Sequence, residues 1–255
     1  MVNNSNDLIS HSFIGAQILS VNFVKDKNIF YLSNLSVFGK TYRGGVPVLF
    51  PQFANNGNLR KHGFVRDIAW ELIYEKQDEN SAIIEYDYSI DEDDYPEWPY
   101  DAKLSLFCEM VSNLITIKLI VINTDIKPFE FTGGLHPYFA ISSKKDLIIN
   151  GLEEAVYKDA FPDIPFNLNG KDLIERQYDA KNPVKFYNGE NWITIKSEGF
   201  NNWMIWNPGE EGAKSIKDLP NEDWSKFICI EPIISKPILL EPGELFIGEL
   251  QIILN

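Results

Sequence analysis

The chain has 255 residues, 44% of them hydrophobic and 13% aromatic, enough for a sizeable core in one large domain or two modest ones. Its 23 Lys+Arg stand against 37 Asp+Glu. The resulting net charge of -14 excludes the broad basic face that nucleic acid or an anionic membrane surface requires.

The opening residues, MVNNSNDLIS, have no basic n-region and no apolar h-region. No secretory signal is expected there, and a cytoplasmic protein is the simplest reading. Short β-rich runs follow at residues 30–32 and 83–88. Residues 102–110 (AKLSLFCEM) alternate in polarity, and residues 114–122 (LITIKLIVI) alternate and then become continuously apolar. Ser112-Asn113 between them is a tight-turn signal, so the two runs read as a hairpin. The 114–122 run carries Thr116 and Lys118 and is too short to span a bilayer. Further strands are predicted at 129–132, 147–150, 192–197, 203–206, 227–230 and 245–254. Turn pairs punctuate them at Asn56-Gly57, Asn188-Gly189, Pro208-Gly209 and Pro242-Gly243. The one helical candidate is NEDWSKF after Pro220, with Asn221 as N-cap and two acids in its first turn. Many strands and few helices predict an all-β fold, a large antiparallel sandwich or barrel.

Motifs for other chemistries are missing. The acidic run at residues 91–94 lacks the spacing and the mid-loop glycine of a calcium loop and reads as a solvated turn. No Cys/His set has zinc spacing, and no phosphate loop or dinucleotide fingerprint appears. Cys108 and Cys229 sit in apolar runs and read as buried thiols; nothing demands a disulfide.

Residues 43–66 carry the strongest polar signal, with Arg43, Lys61, His62 and Arg66 around an apolar, proline-broken stretch. A chain this acidic concentrates positive charge where something anionic or strongly polar binds. Read as a strand, residues 61–66 place His62, Phe64 and Arg66 on one face. Arg43 precedes Gly44-Gly45, where the backbone can take positive φ or admit a ligand closely. His136 follows a strand that is expected to end at two glycines, and Glu231 closes the apolar run FICIE. Burial of that carboxyl raises its pKa toward the range of a general base. Each residue has a plainer alternative: Arg43 as a surface arginine, His62 and His136 as structural histidines, Glu231 in a structural ion pair.

Five motifs in sequence order, RGGVPVLFPQF, HGFVRDIAWEL, GGLHPYFAI, the WNP…IKDLPNEDWSKFICIEP block and LEPGE, resemble the aldose 1-epimerase (mutarotase) superfamily. The likeness is closest to its hexose-6-phosphate mutarotase branch, glucose-6-phosphate 1-epimerase. The resemblance implies a β-supersandwich over residues 1–255 as one domain, a sugar or sugar phosphate as partner, and neither metal nor organic cofactor. It puts the catalytic pair on His136 and Glu231: the glutamate takes the proton of the anomeric hydroxyl and the histidine protonates the ring oxygen. Substrate contacts fall on Arg43, Lys61, His62, Arg66 and Glu175. Lys61 stands where phosphate-specific relatives often have glutamine. Glu175 replaces an aspartate, and Ile233 a small residue. Three readings follow: a hexose-6-phosphate epimerase, a carbohydrate-binding protein of the same fold without catalysis, and an epimerase for free hexoses. A monomer is expected, with His136 and Glu231 on opposite sides of a bound pyranose.

Overall fold

The computed structural model describes residues 8–23, 27–164, 166–180 and 183–255; the first seven residues of MVNNSNDLIS, where no secretory signal is expected, lie outside them. No helix among the described residues is long and apolar enough to cross a membrane. Two antiparallel sheets make up most of the fold.

The larger sheet has eight strands, in the spatial order Ile148–Asn150, Val184–Tyr187, Trp192–Glu198, Leu245–Leu254, Leu114–Asn123, Ala102–Val111, Ser81–Ile90 and Glu71–Gln77. Its central strands follow the period-2 rule directly. Along Ala102–Val111 the even-numbered side chains are buried and the odd-numbered ones face out, so one face meets the core. The predicted hairpin forms with Val111 opposite Leu114 and Ala102 opposite Asn123, and Ser112 turns the chain at positive φ.

The second sheet runs Val156–Asp159, Ile174–Asp179, Asn202–Asn207, Phe227–Leu240, Phe129–Leu135 and Val48–Leu49, with Tyr138–Ala140 also paired to Phe227–Leu240. Its centre is covered on both faces. Ile205, Ile228 and Ile230 join Leu104, Leu106, Ile117 and Ile252 of the larger sheet in one continuous core. Met204, Cys229 and Ile233 pack instead into small clusters on the outer face. This two-sided burial is why FICIEPII reads as an uninterrupted apolar run. Each such side chain, fully buried, contributes about 1.5–3 kcal/mol relative to exposure. A small sheet of Ile9–Ser12, Gln17–Phe23 and Lys27–Asn28 completes the strands.

Several elements differ from expectation. The strand predicted at 227–230 continues to Leu240, with a register break between Ile234 and Ile238 that accommodates Pro237. The 129–132 strand continues through both glycines to Leu135. Residues 30–32 make only isolated bridges, Phe30 to Phe139 and Leu32 to Gly44. NEDWSKF forms a short 3-10 turn, Asp223–Lys226, preceded by Glu222 rather than capped by Asn221. Pro208-Gly209 opens the one α-helix among the described residues, the five-residue Gly209–Ala213.

Candidate active site

Strand register builds the floor of the site. Glu175 lies opposite Trp206, Met204 opposite Glu231, and Trp206 opposite Cys229. Alternation therefore turns Glu175, Met204, Trp206 and Glu231 to the outer face of the second sheet, while Ile205 and Ile230 face the core. His136 follows the strand Phe129–Leu135, its backbone N–H donating to the Pro47 carbonyl at 3.0 Å. These residues and the segments carrying Arg43, Lys61, His62 and Arg66 enclose one cavity of about 210 Å3. All seven residues singled out in the sequence line it.

The segment 61–66 is not the strand expected. His62 and Gly63 are both left-handed, at φ 69° and 68°, and a 3-10 turn, Val65–Asp67, follows. The His62 N–H donates to the Ala54 carbonyl and the Phe64 N–H to the Phe50 carbonyl, which folds the segment back on residues 50–54. A Cβ at residue 63 would lie 2.0 Å from the Phe50 carbonyl oxygen, so only glycine fits. Gly44 and Gly45 also have positive φ, but a backbone rather than a ligand presses on them: a Cβ at Gly44 would lie 2.2 Å from the Tyr31 carbonyl oxygen.

The cationic wall is partly fixed. Arg43 donates from Nε to Asp218 Oδ1 and from a terminal nitrogen to the Tyr138 hydroxyl, both at 3.1 Å. Arg66 donates to the Lys61 carbonyl at 3.3 Å, while its buried Nε has no hydrogen-bond partner. His62 Nδ1 accepts the Ala54 N–H at 3.2 Å and must be unprotonated to do so, which leaves Nε2–H as a donor. Burial, reinforced by Arg66, Lys61 and Arg43, depresses the His62 pKa to about 3, so it is a neutral donor at physiological pH.

His136 Nε2 and Glu231 Oε1 are 3.4 Å apart. The His136 ring stacks on Tyr138 with centroids 4.7 Å apart and meets Trp206 edge-on, which fixes its plane. Burial drives the Glu231 pKa well up, aided by Glu175 and opposed by Lys61. Burial also drives the His136 pKa well down, with His62, Arg43 and Arg66 adding to the effect. Both shifts favour uncharged partners. Burial thus disfavours the charged form of each group in this 3.4 Å contact. At 3.4 Å it is looser than an ordinary hydrogen bond, as catalytic contacts without substrate often are. Glu231 Oε2 and His136 Nδ1 are buried without partners.

The pair is side by side, not split across a ring as expected. That placement is compatible with the expected chemistry, because the anomeric oxygen and the ring oxygen are bonded to the same carbon and two groups approaching from one side can each reach one of them. His136, Cys229 and Glu231 also place ligand-type atoms within 4.8 Å of one another. Their burial and the adjacent Arg43 and Arg66 make this a poor place for a cation.

Phe53, Tyr138, Met204, Trp206 and Ile216 complete the lining, and Asp218 anchors Arg43. None was picked out as a site residue in the sequence. Trp206 and Tyr138 lie inside the WNP and HPYF motifs, and Ile216 and Asp218 inside IKDLPNEDWSKFICIEP, which was the available signal; nothing in the spacing joined Asp218 to Arg43, 175 residues away.

An antiparallel all-β fold with a buried carboxyl–imidazole contact in a polar-walled cavity suits an enzyme of acid–base chemistry on a small polar molecule. The family model for aldose 1-epimerase matches residues 3–252. A protein of Cenchrus ciliaris named “Putative glucose-6-phosphate 1-epimerase” is 27% identical over 263 residues, covering 92% of this chain and 78% of that protein. A protein of the same name from Salmonella typhimurium is 27% identical over 242 residues, covering 88% and 79%. The fold matches the crystal structure of “a putative mutarotase (YeaD)” from Salmonella typhimurium with a TM-score of 0.84 at 23% identity, covering 100% of this chain and 90% of that one. The chain belongs to the aldose 1-epimerase family and is an isomerase of that kind.

Proposed function

We propose that the protein is a hexose-6-phosphate 1-epimerase interconverting the α and β anomers, folded as one unit over residues 1–255. The observation that carries this reading is the placement of Arg43, Lys61 and Arg66 around the cavity that holds the His136–Glu231 pair, in a chain of net charge -14. Guanidinium groups suit a phosphate because their planar fork donates two parallel hydrogen bonds. The Nε of Arg66 makes no hydrogen bond and has Asp67 Oδ2 as an ionic neighbour at 4.0 Å, which leaves it a donor in want of an acceptor.

Transfer of a proton from the Glu231 carboxyl to His136 creates a carboxylate and an imidazolium without changing the charge of the pair. Glu231 then takes the proton of the anomeric hydroxyl while His136 gives its proton to the ring oxygen. The bond between the anomeric carbon and the ring oxygen breaks, leaving an open-chain aldehyde. Rotation about the first carbon–carbon bond and the reverse transfers close the ring to either anomer. Assistance by each group is worth about 10²–10⁴ in rate. Fresh α-glucose 6-phosphate, followed by polarimetry, should lose its excess rotation faster with the protein than without. No acceleration with any aldohexose or its 6-phosphate would end the proposal; acceleration of free hexoses alone would move it to them.

A further inference from the structure

A catalytic imidazole commonly has one ring nitrogen held by a hydrogen bond, which sets its tautomer and its tilt. His136 lacks that support: its Nδ1 is buried, and no other residue among the described ones hydrogen-bonds it. Its orientation rests on rings instead. Tyr138 lies nearly parallel to it, at an interplanar angle of 11°, and Trp206 meets it at 76°. Such contacts are less directional than a hydrogen bond, so the tilt of the imidazole is only as well set as the rings beside it.

The Tyr138 ring is fixed at its far end. Its hydroxyl accepts a hydrogen bond from one terminal nitrogen of Arg43 at 3.1 Å. The opposite edge of the same guanidinium is taken by Asp218 Oδ1, which accepts from Nε at 3.1 Å and lies 3.1 Å from the second terminal nitrogen. Asp218 thus grips the planar fork on one side and turns its other arm toward Tyr138. The main chain closes the frame. The Arg43 N–H donates to Ser36 Oγ, the Ser33 N–H donates to the Arg43 carbonyl, and the Ser33 hydroxyl donates to the Asp218 carbonyl. The Tyr138 N–H donates to the Gly45 carbonyl at 2.9 Å. Arg66 has no such frame at its Nε, which makes no hydrogen bond and has Asp67 as an ionic neighbour at 4.0 Å. One arginine is built into a strut, and the other keeps a donor for a ligand.

Building on the reading that His136 and Glu231 exchange anomers, we infer that Asp218 is a positioning residue for that exchange. It is not part of the cavity lining. It acts through Arg43 and Tyr138 on the tilt of the His136 ring, and so on how well the imidazole meets the ring oxygen of the sugar. The test measures kcat and KM for glucose 6-phosphate and glucose, on whichever the wild type acts. Asp218→Ala should lower kcat about tenfold, the worth of one hydrogen bond, with KM within about twofold of wild type. Asp218→Asn keeps an oxygen for Arg43 and should restore kcat to within about threefold of wild type. Tyr138→Phe keeps the stacked ring without its hydroxyl and should cost kcat about as much as Asp218→Ala. The double variant Asp218→Ala, Tyr138→Phe should then lose about tenfold, not about a hundredfold, because both changes cut one chain. A lower urea midpoint with kcat unchanged, a rise in KM alone, Asp218→Asn no better than Asp218→Ala, or losses that multiply in the double variant overturns the inference and leaves the epimerase standing. Wild-type inactivity toward both sugars overturns the epimerase reading and this inference together.

Discussion

The two sheets of this protein share a core yet read differently. In the eight-stranded sheet, Ala102–Val111 and Leu114–Asn123 send alternate side chains outward and pair in simple register. In the second sheet, the first eight residues of Phe227–Leu240 are all buried. Loops carrying Arg43, Lys61, His62 and Arg66 close over its outer face, so polar groups there meet a small cavity instead of bulk water. One sheet stores stability; the other uses a covered face to bury Glu231 and His136, which disfavours the charged form of each. Substitutions in the two sheets should therefore separate activity from stability.

The largest expected effect is on the covered face. Glu231→Gln keeps the shape of the side chain and removes its proton exchange. Epimerisation should fall by about 10²–10⁴, while calorimetric affinity for glucose 6-phosphate and the urea midpoint stay close to wild type. Retention of most of the activity would remove Glu231 from its assigned role.

The converse belongs to the other sheet. Ile117 is fully buried in the eight-stranded sheet, away from the cavity lining. Ile117→Ala should cost about 2–5 kcal/mol in urea unfolding and leave kcat in the folded protein nearly unchanged. A large drop in kcat with intact folding would show that the two sheets are not separable in this way.

These same differences decide what could be read from the sequence. The strand 245–254 matches Leu245–Leu254 at both ends, because alternation against one core is visible in residue order. His136 and Glu231 stood out as polar groups within apolar runs. The segment 61–66 misled, because HGFVR alternates like a strand, whereas its left-handed turn depends on hydrogen bonds to Phe50 and Ala54. The support of Arg43 by Tyr138 and Asp218 arises only when residues 95 and 175 positions away are brought together. The side-by-side contact of His136 and Glu231 likewise follows from neighbouring chain segments, not from spacing along the chain.

Substrate charge sharpens the comparison further. Arg66→Ala removes a buried donor whose Nε makes no hydrogen bond and has Asp67 as an ionic neighbour at 4.0 Å. A hydrogen bond to a charged group is worth about 1.5–3 kcal/mol, so kcat/KM for glucose 6-phosphate should fall about 10- to 100-fold. The value for free glucose should change far less. Equal losses for both sugars would place the phosphate elsewhere.

The smallest effect concerns the cost of keeping imidazoles neutral under the cationic loops. His62 has a pKa of about 3 in the folded protein against about 6.5 when unfolded. Between those values the unfolded chain binds a proton that the folded chain refuses, so stability falls as the pH is lowered through this window. The slope is about 1 kcal/mol per pH unit for one such group. His136 acts in the same direction. Glu231 acts in the opposite one, since its raised pKa costs stability as the pH climbs above the ordinary carboxylate range. The wild-type curve mixes all three, and the difference from a variant isolates one. His62→Asn suits the left-handed backbone, and its side-chain oxygen can accept the Ala54 N–H in place of Nδ1. Urea unfolding at pH 7 and pH 5.5 should show the variant losing less stability on acidification than the wild type. Identical losses would mean that His62 is protonated freely in the folded protein and that the cationic wall does not bear on it.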